Sequence, residues 1–158
     1  DQPPNAFLTA LALLALRATA SDRNDSVGRG IEWLLSLQPA EKHWLWKWKF
    51  RLSDRQVRFD PDRYGWPWVP GTVSWIAPTA MTVLALRAWD VEHQRITSAD
   101  AMLLDRQCPA GGWNAGNSQV FGINLDPHPD FTSMALLALR PSTPWQTVRA
   151  ALGYLESR

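Results

Sequence analysis

Three segments of the chain are near copies of one another. Residues 9–17 read TALALLALR, residues 79–87 read TAMTVLALR and residues 132–140 read TSMALLALR. Each mixes Ala and Leu, which favour helix. Each is apolar nearly all round, so such a helix is buried on most of its sides. A second helical pattern follows each copy: GIEWLLSLQ at 30–38, ADAMLLDRQ at 99–107 and VRAALGYLESR at 148–158. Capping and turn residues lie between: Ser21, Asp22, Asn24 and Asp25 in the first unit, Thr97 and Ser98 in the second, Pro141 to Pro144 in the third. The repeating unit is therefore a helix, a short loop and a helix. A lone αα-hairpin leaves apolar faces uncovered, and stacking buries them. The expected organisation is a single all-α domain with hairpin 1 at about 6–38, hairpin 2 at about 79–107 and hairpin 3 at about 131–158.

An insertion at 39–78 separates the first two hairpins. In it, Trp44, Trp46, Trp48 and Phe50 alternate with Leu45, Lys47 and Lys49, and a period of two predicts a strand. Ser53, Asp54 and Arg55 read as a turn and Gln56 to Phe59 as the return strand, giving a β-hairpin. The Pro- and Gly-rich run from Asp60 to Gly71 reads as a loop, so the β-hairpin and loop occupy residues 43–71. Long loops in compact domains often carry function, which makes this the candidate region for specificity.

Composition removes several classes of protein. With 46% apolar residues the chain affords a core. A formal net charge of +1 gives no global case for nucleic acid. Lys and Arg interleave with aromatics between Lys42 and Arg63, which reads as a hairpin with one solvated basic face and not as a nucleic-acid surface. The one cysteine, Cys108, excludes an internal disulfide. The apolar run at 6–16 is shorter than the roughly 20 residues of a membrane span and lacks the basic start of a signal peptide. A cytoplasmic or membrane-associated location is expected over a secreted one. The chain begins without Met and ends inside its third repeat pattern, so it is expected to be a piece of a longer protein whose remaining repeats are its partners.

The second helices and the loops after them carry a further pattern. Arg29, Gly30, Trp33, Leu34, Gln38 and Trp44 stand in one register, and Ala99, Leu103, Gln107, Gly111 and Trp113 in another. Arg149, Ala150, Tyr154 and Leu155 begin a third. This resembles the QW repeat of the squalene-hopene and oxidosqualene cyclases, whose α/α-toroid is shared by the prenyltransferases. The departures are Lys42 where Gly is expected, and Ser98 and Met102 where basic and aromatic residues are expected. The resemblance implies a partial α/α-toroid in which Gln38 and Gln107 cap helix ends and Trp44 and Trp113 stack over them, with Gly111 in the turn. Cys108 is read as a buried structural thiol beside Gln107.

The resemblance also sets expectations for chemistry. Such cyclases protonate their substrate with a D-x-D-D acid, which this chain lacks. Asp60 and Asp62 are the nearest acid candidates, although Asp-Pro-Asp favours a turn. Prenyltransferases of this fold hold zinc, but Asp105 and Cys108 have the wrong separation and His43, His93 and His128 are scattered, so neither metal nor other cofactor is expected. The loop from Gly111 to Asn117 lacks the G-K-[ST] of a phosphate loop. Cation cyclisation needs aromatic walls, which makes Trp66, Trp68 and Trp75 the expected cavity residues. The leading expectation is a terpene-cyclase-like or prenyltransferase-like repeat domain handling an isoprenoid or similar apolar molecule, with a membrane surface as a second candidate partner. The alternative is a non-catalytic helical module that binds a protein or lipid.

Overall fold

The computed structural model describes residues 4–19, 22, 24–52 and 58–158. It is mostly helical, with one small two-stranded sheet. The three apolar copies form α1 (Ala6–Ala18), α4 (Ile76–Ala88) and α6 (Pro129–Ala138), each helix beginning three residues before the threonine that opens its copy. Their companions are α2 (Asp25–Ser36), α5 (Gln94–Asp105) and α7 (Trp145–Glu156). Asn5 caps α1 by accepting the Leu8 N–H, and Asn24 caps α2 by accepting from Ser26 and Val27. Pro129 sits in the first turn of α6, where its missing N–H costs nothing. Thr97 and Ser98, expected as caps, lie inside α5 instead. The His93 ring nitrogen takes the Arg95 N–H and starts that helix earlier. Ser21 lies outside the described residues.

The first helices form one layer, with α1 packed on α4 and α4 on α6, and each second helix packs on its own partner. The central α4 is accordingly buried almost throughout, which explains a sequence that is apolar on every face. Arginines at matching positions tie the layer together. Arg17 Nε donates to the carbonyl of Ala88 at the end of α4 (2.8 Å), and Arg87 does the same to Ala138 at the end of α6 while gripping both oxygens of Asp100. Cations at helix C-termini satisfy carbonyls that the helix itself leaves open.

The expected β-hairpin is not formed. Residues Trp44–Leu52 are a helix, α3, preceded by a 3-10 turn at Ala40–Lys42. Within the expected return strand Arg58 and Phe59 are irregular, and the expected turn from Ser53 to Arg55, with Gln56 and Val57, lies outside the described residues. The physical reason is in the basic residues. Helical i,i+4 spacing brings Lys47 and Arg51 side by side, and both pair with Asp62, Lys47 at 2.7 Å. An isolated strand would hold the two about 13 Å apart, given a rise of about 3.3 Å per residue. A helix also satisfies its own backbone where no partner strand exists. A two-stranded ribbon does form elsewhere, β1 (Gln119–Val120) with β2 (Ile123–Asn124), turning at Phe121 and Gly122 with φ of 52° and 76°.

Two brackets of the same design join the hairpins. In each, a Gly-Trp pair is clamped against the threonine near the start of the next first helix. The Trp66 N–H donates to Thr79 Oγ1 (2.9 Å), whose hydroxyl donates back to the Trp66 carbonyl (3.3 Å), while the indole N–H donates to Leu34 at the end of α2 (2.7 Å). Trp113 repeats this with Thr132 (2.9 and 3.2 Å) and Leu103 (2.7 Å). Both tryptophans are fully buried. Only glycine fits before them: a Cβ would lie 2.3 Å from Thr79 Oγ1 at Gly65 and 2.5 Å from Thr132 Oγ1 at Gly112. Thr82, equally buried one turn further along α4, has no hydrogen-bond partner for its hydroxyl among the described residues. Thr79→Val therefore strands the buried Trp66 N–H and lowers unfolding free energy by about 1–3 kcal/mol, whereas Thr82→Val is neutral or stabilising. Urea titrations of both variants check the contrast, and equal losses would refute the bracket.

Candidate functional site

The insertion and the loop after α5 meet at the N-terminal ends of α4 and α6. Trp75 caps the start of α4, and its N–H donates to the Trp66 carbonyl (3.1 Å). His128 stands at the matching position before α6 and donates to the Trp113 carbonyl (2.7 Å). Between these two helix starts opens a cleft of about 440 Å³. Trp75, Ala115, Val120, Leu125 and Phe131 supply apolar walls; Asn114, Asn117, Asp126 and His128 supply polar groups. His128 meets the Phe131 ring edge-on, with centroids 6.1 Å apart. Gly116 underlies the Trp75 ring, where a Cβ would come within 3.1 Å of the indole.

A smaller hollow of about 110 Å³ adjoins this cleft, sharing Trp75, Gly116 and Asn117 and adding Phe59, Val73, Ser74 and Arg106. Arg106 is only 3% exposed. Its Nη1 donates to the Ser74 carbonyl (2.8 Å), its Nη2 lies 3.7 Å from Glu41 Oε1, and the guanidinium rests 4.9 Å over the Phe59 ring. Glu41 is fully buried and accepts the Ser74 N–H (2.9 Å). Desolvation pulls Arg106 down to about 10, with Glu41 and Asp105 opposing, so the guanidinium stays charged at neutral pH. Arg95 is a second cation inside the fold. It donates to the carbonyls of Leu34, Leu35, Leu37 and Gly65 and lies 4.2 Å over the Trp66 ring. Burial brings it also to about 10. It closes the C-terminal end of α2, a structural use of an arginine and not a ligand site.

The sequence-derived candidates separate on the structure. Of Trp66, Trp68 and Trp75, only Trp75 lines the cleft. Trp66 is the bracket residue, sealed in the core. Trp68 packs on Phe7 with centroids 5.3 Å apart, and its carbonyl takes the Ala6 N–H at the start of α1. Trp44 does not stack over a helix end; it is 68% exposed on α3, and Trp66 takes the seam position instead. Gln38, two residues past α2, is exposed and donates to the Leu35 carbonyl of that helix at 3.4 Å, an oxygen that Arg95 also takes at 2.9 Å. Gln107 does bridge to the next hairpin, donating to the Thr147 carbonyl (2.9 Å). Gly111, with φ of 82°, lets the loop lie against Ala150 of α7, whose oxygen a Cβ would approach to 2.4 Å.

Asp60 and Asp62 form a turn, the Asp60 carboxylate accepting the Asp62 N–H (2.9 Å) and pairing with Arg63 (3.2 Å). The hydrogen bond from Lys47, aided by Arg51, holds the Asp62 carboxyl below its ordinary range and so ionised, the reverse of what a proton donor needs. Burial raises the Cys108 thiol, and the Asn114 amide faces its sulfur at 3.5 Å. Among the described residues no three His, Cys, Asp or Glu side chains gather as a metal site. Sequence reasoning missed Glu41, Arg106, Phe131 and Asn117; a Glu inside a run flanked by Pro39 and Trp44 carried no motif. Compared with protein-family models, with curated proteins and with solved structures, the chain matches none.

Proposed function

We propose that the chain is part of an α/α-toroid of the cyclase and prenyltransferase kind, and that the cleft at Trp75 and Phe131 binds an isoprenoid or similarly bulky apolar molecule. The observation that carries this reading is the cleft itself: aromatic and aliphatic walls set between the starts of two adjacent first helices, with polar groups confined to a few points. Aromatic rings there would favour a polyene and any positive charge developed on it. The repeated Gly-Trp brackets support the family resemblance by showing that neighbouring hairpins are joined through equivalent residues. The sequence has no D-x-D-D acid and Asp62 is held ionised, so in this reading the acid that starts cyclisation would lie outside this chain.

A second surface favours a lipid partner for the same domain. Trp44, Leu45 and Trp48 are exposed on α3, with Lys49 on the same helix and Lys42 at the end of the preceding 3-10 turn. Indole rings and aliphatic side chains beside basic groups suit the headgroup region of an anionic membrane, where an apolar substrate would be taken up. Among the described residues no helix is long and apolar enough to cross a membrane.

Calorimetric titration with farnesene, an isoprenoid hydrocarbon, tests the first reading. Trp75→Ala weakens binding several-fold, by about 1 kcal/mol, while Trp68→Ala leaves it unchanged; absence of binding to the unmodified chain would contradict the assignment. For α3, co-sedimentation with phosphatidylserine-containing vesicles drops in a Trp44→Ser, Trp48→Ser variant and with added salt. Retention of vesicle binding by that variant would remove α3 from the account.

A further inference from the structure

The layer of first helices has two edges, and the repeats define what each edge fits. Within the layer α4 packs on α1 and α6 on α4, so a first helix has a leading face toward the helix before it and a trailing face toward the helix after it. On the leading side, Ala12 and Ala15 of α1 match Thr82 and Ala85 of α4 and Ala135 and Ala138 of α6. The four on α4 and α6 are buried, whereas both on α1 are exposed. They stand in a stripe with Leu8, Leu11 and Leu16, of which Leu8 is 58% and Leu11 46% exposed, at the three- and four-residue spacing of one helix face. On the trailing side, Ala10 and Leu14 match Ala80 and Leu84, and then Ser133 and Leu137 of α6. Ala10 and Ala80 are fully buried and Leu14 and Leu84 half-buried, but Ser133 is exposed and Leu137 is 71% exposed.

We propose that the α1 stripe is an interface for a second copy of this chain, whose α6 seats its trailing face there as α1 seats on α4 and α4 on α6. The two uncovered faces belong to one repeat design, so each is the partner that the other lacks. Small Ser133 keeps the close approach that Ala10 and Ala80 give inside the layer, and Leu137 supplies the apolar contact of Leu14 and Leu84. The arginines agree with this direction. Arg17 donates to the carbonyl that ends α4, and Arg87 to the carbonyl that ends α6. Arg140, the matching residue after α6, is half exposed and pairs with Asp100 at 2.8 Å, as Arg87 does at 2.6 Å. In the second copy it would reach the carbonyls that end α1, where a cation is favoured. A two-fold pairing of α1 with itself brings leucine against leucine and no such arginine, because Arg17 is engaged at Ala88. The contact is thus head-to-tail, which closes into a ring or propagates, and either gives a species larger than the monomer.

Sedimentation velocity of the full chain, taken up to about 100 μM, where a contact of micromolar strength is saturated, tests this. The unmodified chain sediments as a species larger than the monomer. Leu11→Glu on the leading face and Leu137→Glu on the trailing face each bury an unpaired charge in the contact, weaken association by about a hundredfold or more, and run as monomers. An equimolar mixture of the two variants regains a dimer, because one intact leading face and one intact trailing face remain. Both positions are exposed within one copy, so thermal melts of the dilute variants match the unmodified chain; Leu8→Glu and Ser133→Glu replace them if either fails to fold. A monomer at every concentration overturns the proposal and leaves the stripe to a different protein or to lipid. Association that survives Leu137→Glu overturns it in favour of α1 pairing with itself. Association that survives Leu11→Glu places the contact elsewhere on the chain and also overturns it. Two monomeric variants that do not recover a dimer on mixing overturn the head-to-tail arrangement.

Discussion

The fold depends on one threonine hydroxyl used twice. Thr79 and Thr132 each accept the N–H and serve the carbonyl of a buried tryptophan, so a loop residue acquires backbone partners that neither helix nor strand provides. The indole N–H then closes the last turn of the preceding second helix, at Leu34 or Leu103. Three elements, the second helix of one hairpin, the loop and the first helix of the next, are fixed by one side chain with no orphaned polar group. Large apolar area and complete satisfaction of its polar handle are what make tryptophan suited to such a seam. The glycine before it is obligatory, since the threonine occupies the space of its side chain. Position 9 on α1 carries the corresponding threonine, half-buried, with no Gly-Trp pair against it among the described residues.

Much of the helical framework was legible because it rests on local pattern. The copies at 9–17 and 79–87 lie in α1 and α4, and residues 132–138 of the third lie in α6 in the same register, with Leu139 and Arg140 just past its end; apolarity on every face of the middle copy corresponds to its place between the other two. The insertion was misread for two physical reasons. Alternating Trp and Lys has a period of two, but no partner strand stabilises it, and Lys47 with Arg51 closes on Asp62 only in a helix. Trp44 also stands ten residues after Leu34, as Trp113 stands ten after Leu103, so spacing alone selected it. The discriminating signal was the residue before: Gly65 and Gly112 precede the two bracket tryptophans, whereas His43 precedes Trp44. A steric requirement was more informative than the interval.

The cleft was hidden for a different reason. Trp75 was legible as a loop aromatic entering a helix, but Phe131 and Asn117 come from distant segments, and Glu41 meets Arg106 across the boundary between two hairpins. Those pairings follow from how the brackets bring adjacent helix starts together. Two buried arginines also divide the work in a way that charge counting does not show. Arg95 spends its donors on the carbonyls of α2 and on Gly65, whereas Arg106 serves the Ser74 carbonyl and its Nε has no hydrogen-bond partner among the described residues. Desolvation acts on both, and the second is among the residues that line the small hollow beside Trp75.

If the brackets are what hold the hairpins together, their backbone hydrogens should open only when the whole domain unfolds. Native-state hydrogen exchange on the Trp66 and Trp113 amides measures this directly. The account predicts that both share the highest protection in the chain, with an opening free energy equal to that of global unfolding. Exchange of either amide at the rate of the exposed α3 helix, while α4 stays protected, would contradict it.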